Sequence, residues 1–166
     1  MKSYKIPAVL CIVFTMCFAV MAQDSVPQRE DTMDMERVAD KMKFEQGKYF
    51  FQLEKYQRAK SHLQEYLELF LHGTYRADAY RMIASIYFEE FRYDRAAEVY
   101  RSLLEEYPGT EPGIRGMYKM GICYKKMGET GKAADVFSRL IKEYPSSSYA
   151  HHSRVMLDVM KIVSNE

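Results

Sequence analysis

A residue pattern that recurs every 37 positions constrains the fold of this chain more than any other feature. Each copy has a small residue, an alanine twelve positions later and a large apolar residue four positions after that. The residues of the three copies are Gly47, Ala59 and Leu63, then Ala84, Ala96, Tyr100 and Pro108, then Gly121, Ala133, Phe137 and Pro145. A fixed period of this length indicates a solenoid of stacked repeats, which exposes a binding surface rather than enclosing a reaction.

Apolar residues from Asp34 onward recur at helical rather than strand spacing. The small residues predict where two antiparallel helices approach closely, and the large apolar residue fills the space beside them. Pro108 and Pro145 are expected to end the second helix of their copies, because proline disfavours helical geometry in the residue before it. In the first copy Leu71 replaces the proline, and Gly73 is expected to end the helix instead.

These offsets are similar to those of the tetratricopeptide repeat. The matching residues are Tyr80, Ile83, Ala84, Tyr87, Ala96, Tyr100 and Pro108 in the second copy, and Met117, Met120, Gly121, Tyr124, Ala133, Phe137 and Pro145 in the third. The resemblance implies an all-α, right-handed superhelical solenoid of helix-turn-helix repeats that binds proteins. It places a repeat domain at 34–166, with repeats at about 40–76, 77–113 and 114–150 and a C-terminal capping helix at about 149–164.

The first repeat fits this pattern least well. Lys43 and Gln46 occupy positions that are apolar in the other copies. Its first helix is therefore expected either to be exposed or to cover the end of the stack through Met35, Val38 and Met42.

The long spacing, with Leu-Leu-Glu-Glu-Tyr-Pro at 103–108 and Leu-Ile-Lys-Glu-Tyr-Pro at 140–145, resembles bacterial envelope proteins of the repeat family. Their relatives include outer-membrane assembly lipoproteins and the periplasmic coordinator of the Tol-Pal system. The chain departs from the lipoproteins in having no clear lipid-attachment site and few repeats. It departs from the coordinator because the lead-in is too short for a coiled coil.

The N-terminal segment predicts export. Lys2 and Lys5 precede an uncharged apolar run over 6–21, and Val20 and Ala22 supply the small residues of a cleavage site. We expect a signal peptide at 1–22 and a flexible lead-in at 23–33. The mature protein is expected to be periplasmic or secreted, with association with the outer membrane as a further alternative. A retained membrane anchor is the alternative.

The cysteines and charges add limits to this interpretation. Cys11 and Cys17 are not preceded by the small residue typical of bacterial lipoproteins, so a lipid anchor is not expected. Cleavage would leave only Cys123, so no intramolecular disulfide could form. A formal net charge of +1, falling to −1 without Lys2 and Lys5, predicts no general attraction for nucleic acid.

The chemical motifs of the chain do not predict an enzyme. Gly128–Ala133 is similar to a phosphate-binding loop, but it lacks the first glycine and the hydroxyl residue after Lys132, and it falls in a turn between helices. His151 and His152 are neighbours that would point apart on a helix. His62 and His72 are isolated, and Cys123 is expected to be a small buried hydrophobe. We therefore expect no catalytic residue, no metal, no cofactor and no small-molecule substrate.

The positions that resemble the ligand-facing residues of the family form a candidate groove. They are Lys41, Phe44, Lys48, Phe51, Asp78, Arg81, Ser85, Phe88, Arg115, Tyr118, Ile122 and Lys125. Five cations against one carboxylate, with several aromatic rings, predict binding of an acidic and apolar protein segment. An ordinary solvated face is the alternative.

Two further expectations concern specificity and assembly. Chaperone-binding members of the family hold a terminal carboxylate with paired asparagines, whereas Asn165 is the only asparagine here. The resemblance therefore does not imply that specificity for this chain. Self-association through the last helix or the weak first repeat is the alternative to partner binding.

Overall fold

The computed structural model describes the backbone of residues 29–164 and the side chains of 33–163. This range contains seven α-helices and no strand. They are α1 (Arg29–Gln52), α2 (Tyr56–Leu69), α3 (Arg76–Glu89), α4 (Tyr93–Glu106), α5 (Glu111–Lys126), α6 (Thr130–Glu143) and α7 (Ser148–Ser164). The signal peptide expected at 1–22 lies outside the described residues.

The first helix begins earlier than the sequence pattern predicted. It starts at Arg29, so 29–33 are helical where a flexible lead-in was expected. No proline or glycine interrupts the chain between Pro27 and Gly47, so nothing in this stretch stops the helix from extending toward the N-terminus.

Contacts divide the chain into two units, 1–37 and 38–166. The described part of the first unit is the N-terminal part of α1. There the guanidinium of Arg37 binds the carboxylate of Asp34 at 2.7 Å, three residues earlier on the helix. Met33 and Met35 of this unit are exposed. This segment therefore carries its own side-chain ion pair, a weak and solvent-screened support for a helix.

The second unit is a stack of helix pairs. Each helix from α2 to α7 packs against the next, and the first helices of successive pairs, α3 with α5 and α5 with α7, also contact. Short connections make neighbouring helices antiparallel. The expected all-α helical solenoid is thus confirmed, with pairs α1–α2, α3–α4 and α5–α6 followed by the single helix α7. None of the helices in 29–164 has the length and hydrophobicity needed to cross a membrane.

The small residues of the repeat lie where a large side chain of the second helix crosses the first. A methyl group on Gly47 would come within 2.7 Å of Leu63 Cδ2, and one on Gly121 within 2.6 Å of Phe137 Cε1. Leu63 and Phe137 are fully buried. Close packing of these pairs leaves no room for a side chain, which is the steric reason for the repeated glycine.

The other repeat positions also pack in the core. Ala59, Ala84, Ala96 and Ala133 are fully buried. Tyr87 and Tyr124 are half-buried against the cluster that contains Tyr100. The tyrosines at these positions therefore serve mainly to fill space.

The helix ends differ between copies. Helices α4 and α6 end one residue before Tyr107 and Tyr144, and Pro108 and Pro145 follow directly. In the first copy α2 ends at Leu69, four residues before Gly73, so Gly73 does not end the helix as was expected, and its φ is not positive. A methyl group on Gly73 would instead lie 2.8 Å from the carboxylate of Asp40, so glycine is needed there for close approach.

The first repeat is folded despite its polar positions. Phe44 and Gly47 of α1 are buried, while Lys43 is half-buried and its ammonium lies 2.7 Å from the carboxylate of Glu65 on α2. Val38 and Met42 are 54% and 61% exposed. Of the two alternatives for the outer face of this helix, exposure is the one observed.

Buried polar contacts tie the first repeat to the second. Arg76, at the start of α3, donates to the carbonyls of Leu67 and Phe70 at 2.6 and 2.9 Å and to both carboxylate oxygens of Glu106 at 2.6 and 2.7 Å. It therefore satisfies carbonyls at the C-terminal end of α2 and anchors α4 at the same time.

Two further polar contacts also join the first repeat to the second. The ammonium of Lys60 on α2 lies 2.8 Å from the carboxylate of Glu90, just after α3. The hydroxyl of Tyr66 donates to Asp40 at 2.5 Å and accepts from the backbone N–H of Tyr75 at 3.0 Å. Together these contacts fix how the second repeat stacks on the first.

The turn inside each repeat uses the same backbone conformation. Glu54, Phe91 and Gly128 have φ values of 56°, 59° and 77°, in the left-handed region. They are spaced 37 residues apart, so the period extends to the turns.

Candidate functional site

A cleft of about 360 Å³ lies between the first helices of the second and third repeats, α3 and α5, with α4 at its base. Its lining residues are Arg81, Ser85, Phe88 and Glu89 of α3, Tyr100 and Leu103 of α4, and Arg115 and Lys119 of α5. We call this feature the α3–α5 cleft. Its volume lies near the lower limit for small-ligand cavities, and it suits a few side chains of a protein segment rather than a folded domain.

Helical spacing brings these residues to one place. Arg81, Ser85 and Phe88 are separated by four and then three positions, so they share one face of α3. Arg115 and Lys119 are four positions apart on α5 and share a face in the same way. Stacking of the repeats then sets the two faces against each other across α4.

The base of the cleft is apolar. Tyr100 and Leu103 are 5% and 1% exposed and belong to the core cluster of the second and third repeats. Burial raises the pKa of Tyr100 above its ordinary value, and a hydrogen bond with Ser85 opposes that rise. The phenol is therefore neutral at physiological pH, and the positive charges of the cleft stand over an uncharged base.

The two arginines of the cleft are held by exposed and weak ion pairs. Arg81 donates to one carboxylate oxygen of Asp78 from Nε at 3.1 Å and from Nη2 at 2.9 Å. The side chain of Asp78 is 50% exposed. Exposed pairs between residues three apart contribute little free energy, so Arg81 can exchange this carboxylate for one on a partner at small cost.

Arg115 is the less satisfied of the two arginines. Its closest carboxylate is that of Glu111 at 3.7 Å, beyond hydrogen-bond distance. Its Nε is shielded from solvent and finds no hydrogen-bond acceptor among the described residues. A buried donor without an acceptor is costly. The Arg115 side chain as a whole is 35% exposed, so other nitrogens of its guanidinium are available to a carboxylate on a partner.

The structure places four of the twelve expected groove residues around this cleft. They are Arg81, Ser85, Phe88 and Arg115, and Asp78 contacts Arg81 at its rim. These residues come from the second and third repeats, the copies that matched the repeat pattern best.

The groove residues expected in the first repeat lie elsewhere. Phe44 is 3% exposed and stacks on Tyr75 with ring centroids 4.8 Å apart, so it is a core residue and not an accessible anchor. Phe51 is half-buried and packs against the core cluster that contains Phe44. Lys48 is paired with Glu45 at 2.8 Å, and Lys41 is exposed. The physical reason is the repeat geometry itself, because Tyr118, at the same offset in the third repeat, packs in a similar way on Tyr149, with ring centroids 5.6 Å apart.

Two of the remaining expected residues on α5, Tyr118 and Lys125, contact α7. The ring of Tyr118 lies 5.8 Å from that of Phe137 and 5.6 Å from that of Tyr149. The ammonium of Lys125 is 3.8 Å from the sulfur of Met156 on α7. Ile122 is half-buried. Because the capping helix covers this end, these residues are not part of the α3–α5 cleft.

Four residues of the cleft were not in the expected set. Lys119 follows Arg115 by four positions, and that spacing alone could have identified it. Glu89 directly follows Phe88 at the end of α3. Tyr100 and Leu103 belong to the second helix of the repeat, so the sequence pattern assigned them to packing only.

The other motifs take ordinary structural positions. The Gly128–Ala133 segment joins α5 to α6, so no strand precedes it. His151 and His152 are exposed on α7, and no group of three potential metal ligands occurs within the described residues. Cys123 is fully buried, and burial raises the pKa of its thiol to about 12.

Comparison with known proteins identifies the repeat. Two family models, both described as tetratricopeptide repeat, match 44–110 and 115–147 and together cover more than half of the chain. The chain belongs to the tetratricopeptide repeat family. A search of curated protein sequences finds no match.

Solved structures show the same fold. The N-terminal domain of stress-induced protein-1 (STI-1) from C. elegans superposes with a TM-score of 0.60 at 17% identity, covering 71% of this chain and 94% of that one. The complex of the TPR2AB domain of yeast Sti1 with pHSP90 superposes with a TM-score of 0.61 at 16% identity, covering 76% of this chain and 49% of that one. At these identities the similarity concerns the fold alone.

Proposed function

We propose that the protein is a non-catalytic scaffold whose α3–α5 cleft binds an acidic segment of a partner protein. The observation that supports this most is the set of three cations, Arg81, Arg115 and Lys119, placed around the apolar base formed by Tyr100 and Leu103. Carboxylates of the segment would pair with the cations, and an apolar side chain would cover the base.

The family and one structural neighbour support this reading. Tetratricopeptide repeats typically mediate protein–protein interactions, and the yeast Sti1 structure is a complex with pHSP90. We do not propose recognition of a terminal carboxylate by paired asparagines, because Asn165 is the only asparagine of the chain and the described residues that line the cleft include none. The acidic side chains of the segment, rather than a terminal carboxylate held by asparagines, are the proposed recognition feature.

Charge reversal in the cleft tests this function. Peptides of 16 residues selected from a random display library against the wild-type protein serve as probes, and their affinities are measured by fluorescence anisotropy. The double variant Arg81→Glu, Arg115→Glu is expected to weaken acidic peptides by at least about tenfold. The matched control is Arg95→Glu, Arg139→Glu, which reverses two exposed arginines away from the cleft. Equal affinities for wild type and the cleft variant would refute the proposal.

We further propose that the scaffold acts in the bacterial envelope, in the periplasm or secreted, after cleavage near Ala22. The support is the charged start, apolar run and small residues of the first 22 positions. The mass of the N-terminal peptide of the native protein tests it, because a start near Gln23 is expected. A retained first segment would favour a membrane anchor.

Membership of an outer-membrane assembly or Tol-Pal type complex is a finer proposal that rests on the long repeat spacing. Crosslinking of the native envelope followed by affinity purification tests it. Co-purification of outer-membrane proteins that is lost with Arg81→Glu, Arg115→Glu would support it. Recovery of the scaffold without membrane proteins would refute it.

Self-association is a second candidate that one observation favours. The helix α7 leaves four aliphatic side chains exposed, namely Val155, Val159, Ile162 and Val163. A helix with an uncovered apolar face favours association with another surface. Sedimentation equilibrium across a hundredfold concentration range tests this candidate. A constant monomer mass would eliminate it.

A further inference from the structure

The turn between α3 and α4 carries an exposed aromatic side chain that the fold does not require. Phe91 is 78% exposed, the largest value among the large hydrophobic residues of the described chain. Its φ is 59°, in the left-handed region where a side chain with a Cβ is strained. Both its exposure and its backbone conformation therefore disfavour phenylalanine at this position.

The third repeat shows what the turn requires by itself. Gly128 stands 37 positions after Phe91, has a φ of 77°, and would meet nothing within 4 Å if a Cβ were added. Glycine adopts this conformation without strain and exposes no apolar surface. Since glycine serves the same turn in this chain, folding does not explain the aromatic ring of Phe91.

Two ring contacts connect Phe91 with the α3–α5 cleft. The ring centroids of Phe91 and Tyr93 are 6.3 Å apart with an interplanar angle of 87°. Those of Tyr93 and Phe88 are 5.0 Å apart at 67°, and Phe88 lines the cleft. We call these three residues the aromatic ridge. It forms a continuous apolar path from the cleft to the turn.

The charges beside the ridge include one accessible cation. Arg92 is exposed next to Phe91, and its guanidinium lies 5.1 Å from the ring of Tyr87. The neighbouring carboxylate of Glu90 is bound by Lys60 and Gln57. Glu89 and Asp94 are exposed beside the ridge as well, so the accessible charges there have both signs, and the aromatic rings rather than the charges carry the argument.

We propose that Phe91 is a partner-binding anchor, which holds an apolar side chain of the acidic segment that occupies the α3–α5 cleft. The proposal rests on the proposed function of the cleft and adds a second contact point to it. The segment would place its carboxylates at Arg81 and Arg115 and a leucine or phenylalanine beyond them on Phe91. An exposed and rigidly placed aromatic ring is the side chain type that dominates binding at protein interfaces.

The substitution Phe91→Gly separates binding from stability. It relieves the strained backbone, so the melting temperature is expected to stay constant or rise by about 2 °C. Affinity for the acidic peptide is expected to fall by about five- to thirtyfold. The matched control is Glu54→Gly, which removes the side chain at the same turn position of the first repeat and should leave peptide affinity unchanged.

The probes are fluorescein-labelled 16-residue peptides with an acidic centre and one leucine placed at successive positions outside it. Replacing the leucine that contacts Phe91 by alanine should weaken binding to the wild type and not to Phe91→Gly. Such coupling within a double-mutant cycle is expected only for a direct contact.

The outcomes separate the two proposals. Unchanged affinity in Phe91→Gly, together with loss in Arg81→Glu, Arg115→Glu, would overturn the anchor and leave the cleft in place. Unchanged affinity in both variants, or no binding of the acidic peptides to wild type, would overturn the function of the cleft and the anchor with it. Reduced self-association of Phe91→Gly with unchanged peptide affinity would assign the ring to contact between copies and overturn the proposal.

Discussion

Replacing Arg76 by leucine should destabilise the protein more than any exposed charge change. The side chain of Arg76 is 9% exposed and that of its partner Glu106 is 30% exposed. Its guanidinium makes two hydrogen bonds to that carboxylate, at 2.6 and 2.7 Å, and two to the carbonyls of Leu67 and Phe70. The substitution removes these four bonds and a longer one, of 3.5 Å, from Nη2 to the hydroxyl of Tyr80, and it leaves their acceptors without this donor.

The size of the effect follows from the burial of the pair. Removing one partner of a fully buried ion pair costs about 3–5 kcal/mol. The partial exposure of Glu106 lowers that cost to about 1–2 kcal/mol, and the loss of two hydrogen bonds from the charged guanidinium to carbonyls adds about 1.5 kcal/mol each. We therefore expect the free energy of unfolding to fall by about 4–5 kcal/mol.

Urea unfolding followed by circular dichroism and tyrosine fluorescence measures this change, since the chain has no tryptophan. The control is Arg95→Leu, which breaks an ion pair of 2.9 Å whose side chains are 52% and 58% exposed. It should cost less than about 0.5 kcal/mol. In the double variant Arg76→Leu, Glu106→Leu part of the loss should be recovered, because no carboxylate is left without its cation.

A loss in Arg76→Leu that is no larger than in Arg95→Leu would refute this reasoning. It would mean that the contacts of Arg76 do not hold the first and second repeats together. The stacking of the repeats would then depend on apolar packing alone.

Three further predictions concern individual side chains. Asp40→Ala should lower the free energy of unfolding by about 1–3 kcal/mol in urea titrations, because the buried hydroxyl of Tyr66 loses its acceptor; equal stability would contradict it. Hydrogen bonding from Arg76 lowers the pKa of Glu106 in the folded protein. The ionised Glu106 carboxylate therefore stabilises the fold fully above the pKa of Glu in the unfolded chain, about 4.3, and this stabilisation is lost as pH falls through the lower pKa of the folded state. Wild type should therefore lose more stability than Glu106→Gln on acidification below about pH 5, and parallel pH curves would exclude that role. The thiol of Cys123, fully buried and with its pKa raised to about 12, should resist iodoacetamide at pH 8 unless urea is added, and rapid native labelling would show that the helix around it opens.

The repeat architecture could be predicted because its cause is local and periodic. A glycine at 47 or 121 fits only where a side chain such as Leu63 or Phe137 crosses the helix closely, and that demand recurs at a fixed spacing. Proline after Tyr107 and Tyr144 marks helix ends for an equally local reason.

The features that escaped prediction depend on which residues meet across the stack. Phe44 occupies a groove position by offset, yet its ring packs on Tyr75 at the start of the next first helix, as the ring of Tyr118 packs on that of Tyr149. Gly73 is set by the approach of the Tyr66 hydroxyl and of the Asp40 carboxylate, which lies 33 positions earlier in the chain. The base of the cleft uses Tyr100, whose repeat position indicates packing and not binding.

The N-terminal extent of α1 was missed for a different reason. Polar residues between Pro27 and Asp34 show no apolar period, and that period is the signal from which a sequence predicts a helix. In the structure this helix begins at Arg29.

Backbone chemical-shift mapping tests the central claim most directly. An acidic 16-residue peptide is titrated into the ¹⁵N-labelled protein, and the amide resonances are followed to saturation. We predict that the largest shifts fall on Arg81, Ser85, Phe88, Arg115 and Lys119, the residues that line the α3–α5 cleft. Shifts confined to α1 or α7, with the cleft residues unchanged, would contradict it.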